Sequence, residues 1–99
     1  MGKSLEVLNV RKYGTLQEGG EKTDVHGNKV TLEEGVMLYF VNNVFSKPNS
    51  GFLILADGTP LTKSTDCTLT PLQMTELGQK AAEKIKKGEL GDLGLKITL

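Results

Sequence analysis

The chain has 99 residues, with 12 basic and 12 acidic side chains, a formal net charge of zero and 37% hydrophobic residues. That length suits one domain with its own core. The charge balance argues against a dedicated duplex-DNA binder, which carries a basic excess.

Leu5 to Val10 is a short β-like run in which Leu5 and Val7 share one face and Leu8 and Val10 the other. This switch of apolar face predicts a bulge or a strand covered on both sides. Arg11, Lys12 and Tyr13 extend the run and Gly14 punctuates it. Leu16 to Asp24 is polar and Gly-rich, which predicts a loop. Thr23-Asp24-Val25 and Lys29 to Leu32 then read as two short strands around His26-Gly27-Asn28.

Val36 to Asp57 is the aromatic centre of the sequence, holding all three Phe residues and Tyr39. Two apolar runs, Val36 to Phe45 and Phe52 to Asp57, flank the turn cluster Ser46-Lys47-Pro48-Asn49-Ser50-Gly51, the pattern of a hairpin with a projecting tip. In the first run, Val36, Leu38, Phe40 and Asn42 alternate with Met37, Tyr39, Val41 and Asn43. Both sets are apolar up to Val41, so both faces need cover. Asp57 to Pro60 reads as a turn, and the Thr-rich stretch Leu61 to Leu69 as an edge strand or an extended connection.

One helix is predicted over 71–87. Thr70 is an N-cap, Pro71 suits the first helical position, and Gln73 completes a capping box. Met74, Leu77, Ala81 and Ile85 form an apolar stripe, Lys84, Lys86 and Lys87 favour the last turn, and Gly88 is a natural C-cap. Gly78 inside the helix suggests close approach to the sheet. Gly88 to Gly94 reads as a turn, and Leu95 to Leu99 as a final strand.

The expected architecture is therefore α+β: five to six mostly antiparallel strands in a barrel-like or strongly curved sheet, with one late helix and a C-terminal strand, in a single domain spanning 1–99. The count of strands and the one helix resemble the oligonucleotide-binding fold in architecture. That fold's helix usually precedes two strands, whereas one clear strand follows here.

Cys67 is the one cysteine, so no internal disulfide is expected. The N-terminal residues lack an apolar signal core, and the longest apolar run, Val36 to Val41, is far too short to span a bilayer. The expectation is a soluble, cytoplasmic protein without a membrane partner.

No arrangement of residues in the sequence predicts a cofactor or metal site. His26 is the sole histidine and has no second ligand at a metal-binding spacing. Cys67 beside Asp66 lacks an activating neighbour and reads as a buried thiol. Glu33 and Glu34 are adjacent and point apart on an extended chain. Gly19-Gly20 has neither the Walker nor the dinucleotide spacing. The expectation is a non-enzyme, with a small hydrolase or transferase using His26 or Cys67 as the remote alternative.

Binding is the larger class. The leading reading is a module that acts through protein contacts, as an accessory subunit, inhibitor or structural component, or with itself as a homo-oligomer. The alternative is a single-stranded nucleic-acid binder, which needs cations for phosphates and rings for bases. Both readings point to the same residues: Arg11, Lys12 and Tyr13 on the first strand, and Phe45, Lys47, Asn49 and Phe52 around the hairpin tip.

Overall fold

A computed structural model describes residues 5–43, 50–65, 67 and 69–98, with backbone only for 5–8, 43, 92 and 94–98. The chain runs β1 (Leu5–Thr15), β2 (Gly20–Thr23), β3 (Lys29–Leu32), β4 (Met37–Asn43), β5 (Gly51–Ile54), β6 (Pro60–Lys63), α1 (Pro71–Lys87) and β7 (Gly91–Thr98). Five strands form one antiparallel sheet in the order β6-β5-β4-β1-β7, and β2 and β3 form a separate two-stranded sheet.

The architecture is α+β, as the sequence pattern implies, but the barrel is not. The large sheet is open, with β6 and β7 as its edges among the described residues. Helix α1 joins those two edge strands in sequence and touches both of them. Edge β6 opens with Pro60, which has no N–H to donate, and its carbonyl accepts a hydrogen bond from Val25 N at 3.1 Å.

Several boundaries also move. The first hairpin strand is Gly20 to Thr23, pairing residue for residue with Lys29 to Leu32, so Gly20 to Lys22 of the expected loop are strand and Asp24 and Val25 of the expected strand are not. Their connection, Asp24 to Asn28, is held by the Asp24 carboxylate, which accepts from His26 N at 2.9 Å and Asn28 N at 2.8 Å. β5 stops at Ile54, because Leu55 to Thr59 turns back: Gly58 N donates to Leu55 O, and Thr59 N and Oγ1 both donate to Asp57. Of the stretch 61–69 only the first three residues are strand, and β7 starts at Gly91, inside the expected turn. The face switch near Val7 does coincide with an irregularity, where the β1–β7 register shifts between Val7 and Asn9.

The helix begins and ends where its caps predict. Thr70 Oγ1 accepts from Gln73 N, and Gln73 Oε1 accepts from Thr70 N, closing the capping box. Gly88 is left-handed at φ 74°, with its N–H and that of Glu89 returned to Ile85 O and Lys84 O. Thr70→Ala removes the cap oxygen, and thermal or urea unfolding should show a loss of about 1 kcal/mol.

Helix and sheet share a core in which Met74, Leu77 and Ala81 of the predicted stripe meet Val10, Val41, Phe52, Ile54, Cys67 and Leu93. Cys67 is a buried free thiol, as its isolation in the sequence suggests. A second cluster, Leu32, Leu38 and Leu61 with Leu16, Val30 and Leu55, joins the β2–β3 hairpin to the large sheet. The alternation in β4 thus separates two layers: Tyr39 and Val41 belong with the helix-side core, and Leu38 with the hairpin-side one. Gly78 supplies the close approach suspected of it. Helix α1 meets the β5–β6 turn backbone to backbone at Gly78 and Gly58, where a Cβ on Gly58 would lie 2.6 Å from Gly78 O.

Candidate functional site

The antiparallel register lines up one residue from each of four strands on the sheet face away from the helix. Arg11 of β1 lies opposite Phe40 of β4, Phe40 opposite Leu53 of β5, and Leu53 opposite Thr62 of β6. Between Lys12 and Gly14 the β1–β4 register shifts, leaving Tyr13 as an extra residue in a bulge. Bulges re-aim side chains. Here the Tyr13 ring leans on Phe40, with centroids 6.0 Å apart and planes tilted by 43°. The Arg11 guanidinium carbon sits 5.2 Å from the centroid of the same ring, within cation–π range. Phe40 is buried beneath them, whereas Tyr13 is 60% exposed.

A depression of about 250 Å³ opens beside this cluster, lined by Tyr13, Phe40, Leu53, Thr62, Lys63 and Ser64. Its floor is apolar, and its far wall is edge strand β6. The β2–β3 hairpin packs on the same sheet through Leu38 and Leu61, so among the described residues the outer face is covered at that end and open at this one.

Of the residues singled out from the sequence, Arg11 and Tyr13 come together here. Lys12 is exposed and adjacent in β1, paired with Tyr39. Phe45, Lys47 and Asn49 lie outside the described residues. Phe52 is 0% exposed in the helix-side core, so its ring is packing and not a surface contact. Phe40, Leu53 and Lys63 were missed. The signal for Phe40 was present in the alternation that places it opposite to Val41, but only the strand pairing shows that Arg11 is its neighbour.

A second depression of about 220 Å³ is lined by Asp24, His26, Asp57, Gly58, Thr59, Pro60, Thr75 and Gln79. The His26 ring meets Thr75 Oγ1 at 2.6 Å, and Thr75 Oγ1 also lies 3.0 Å from Pro71 O. The Thr75 hydroxyl is placed to donate to the Pro71 carbonyl, and the direction of its contact with His26 follows the imidazole tautomer. The contact ties the β2–β3 turn to α1. Cys67 lies in the core, while His26 is exposed on its turn. Among the described residues, no three His, Cys, Asp or Glu side chains stand close enough to hold a metal ion.

Asp24 carries a titration consequence. Partial burial works to raise its pKa, but hydrogen bonds from the Asn28 and His26 backbone and the Asn28 side chain, with the His26 charge, hold it below the ordinary aspartate value. A lowered folded-state pKa stabilises the fold above the unfolded value, and that contribution is lost as pH falls through the folded one. Stability should therefore decline below about pH 4. Asp24→Asn should flatten that part of the profile, read by thermal melts across the acid range.

No family model, curated protein or solved structure matches this chain. Among the described residues, no helix is long and apolar enough to cross a membrane.

Proposed function

We propose that the protein is a non-enzymatic binding module of the cytoplasm that engages a protein partner, or a second copy of itself, through the outer face of its large sheet. What supports this reading is the exposed Tyr13 ring held over Phe40 beside an open apolar depression. Exposed aromatics anchored on a rigid scaffold dominate the energetics of protein interfaces. They cost little ordering entropy when already packed, and here the bulge and the contact with Phe40 hold the Tyr13 ring in advance. The edge strand β6 adds backbone groups beside the same depression, which suits an incoming extended segment.

The test is the mass in solution beside recovery of bound proteins, compared between the native chain and Tyr13→Ala. A mass above that of the 10.7 kDa monomer, or a specific partner, should be seen for the native chain and lost in the variant. A strictly monomeric protein that retains nothing overturns the reading.

The cations Arg11 and Lys63 near an exposed ring also favour single-stranded nucleic acid as a second reading. Titration of a labelled oligonucleotide decides it. Binding that falls steeply with salt supports it, and no binding at low salt removes it.

A further inference from the structure

The chain is neutral, but this face is not. Of the cations in these strands, Arg11 lies on this face and Lys63 lines its depression, whereas Lys12, paired with Tyr39, points to the other face; Asn9 to Thr15, β4, β5 and β6 hold no Asp or Glu. The acidic residues that balance the chain lie outside this part of the sheet: Glu18, Glu21, Asp24, Glu33 and Glu34 cluster in the β2–β3 region, Glu6 and Asp92 belong to the paired strands β1 and β7 at the other side of the sheet, and others lie in α1 and the turns. Among the described residues, the ion pairs are Lys29 with Glu21 and Lys84 with Glu89. Neither involves this face. Arg11 rests on the Phe40 ring, and Lys63 stands at the rim of the depression.

Resting on the protein-binding reading above, we propose that the face binds an extended acidic peptide segment that carries an apolar side chain. The segment would lie along β6, using backbone groups between Leu61 and Lys63, because the Pro60 carbonyl is already taken by Val25 N. One apolar side chain enters the depression over Phe40 and Leu53, whose volume of about 250 Å³ has room for a leucine or phenylalanine. Flanking carboxylates meet Arg11 and Lys63. Charge complementarity of this kind sets specificity and encounter rate more than raw affinity. A strand edge beside the pocket favours a peptide over a nucleic acid, whose backbone offers acceptors without the alternating donors that pair with a strand.

The probes are a short labelled peptide alternating glutamate with leucine and phenylalanine, its glutamine counterpart, and labelled oligothymidylate, each titrated by fluorescence anisotropy at low and moderate salt. The acidic peptide should bind about tenfold more tightly than the glutamine form at low salt, as two exposed ion pairs allow. Added salt should narrow the gap. Arg11→Ala and Lys63→Glu, both on exposed residues and checked for native circular dichroism, should each weaken the acidic peptide several-fold more than the glutamine form; an equal loss for both peptides overturns the acidic preference. Equal affinity for the two peptides, lost in Tyr13→Ala, overturns the acidic preference while leaving the face itself as the binding surface. Tighter binding of oligothymidylate, or no binding of any probe, overturns the proposal.

Discussion

Gly78→Ala should lower the melting temperature by roughly 10 °C or more, although the same change raises stability in an ordinary exposed helix. Two effects oppose one another. Replacing a helical glycine with alanine gains about 1 kcal/mol through backbone entropy. Against this, the new methyl at residue 78 would fall well inside contact distance of the Gly58 carbonyl oxygen. That neighbour is backbone in a turn fixed at both ends, by Gly58 N to Leu55 O and by Thr59 on Asp57. It cannot swing aside as a flexible side chain would. Overpacking at such a contact costs about 1–3 kcal/mol and occasionally more. Relief requires α1 to lift from the β5–β6 turn, which would loosen Met74, Leu77 and Ala81 together, so the upper end of that range applies and the clash wins. Gly58→Ala should be at least as damaging, because Gly58 also holds φ at 94°. An unchanged or raised melting temperature for Gly78→Ala would show that the helix does not dock at this point.

Phe52→Ala should cost about 3–5 kcal/mol, a large share of the 5–15 kcal/mol by which such domains are typically stable. The ring is 0% exposed and sits among Val10, Val41, Ile54 and Met74, where the structure can collapse only partly around the void. Chemical denaturation should show a much lower midpoint, or a chain that does not fold at room temperature. Phe52→Leu, which keeps most of the volume, should cost less than about 1.5 kcal/mol. Tyr13→Ala should stay within about 1 kcal/mol of the native protein, losing mainly its contact with Phe40. These changes separate core from surface. A binding defect in Phe52→Ala reports loss of the fold, whereas one in Tyr13→Ala reports loss of a contact.

The helix was legible to the residue because its signals are local. Thr70, Pro71, Gln73 and Gly88 act within one turn of each end, and the stripe Met74-Leu77-Ala81 needs only helical geometry to be read. The helix lysines also ended in the last turn, as the dipole favours. Sheet closure was not legible, because it depends on which distant strands meet. Nothing near Pro60 in sequence announces that its carbonyl will be taken by Val25. β2 was largely hidden by its composition, since Gly20-Glu21-Lys22 looks like loop until the pairing of β2 with Lys29 to Leu32 supplies the reason for its shape.

The binding face was half legible for the same reason. Arg11 and Tyr13 stood out as a cation next to a ring. Phe40, Leu53 and Lys63 join them only through the β1–β4–β5–β6 register. Phe52 misled because both faces of its strand are apolar, so sequence alone does not say which ring is inside. The alternation of Phe52 and Ile54 against Leu53 is satisfied by either assignment. The helix decides it by covering Phe52 and Ile54.

The outer-face account is tested most directly by placing a photo-activatable phenylalanine at Tyr13 and, separately, at Leu72, an equally exposed apolar position on α1. The account predicts a discrete protein crosslink from position 13, to a second copy or to one partner, and none above background from position 72. Equal labelling from both positions, or none from position 13 in a correctly folded protein, would contradict it.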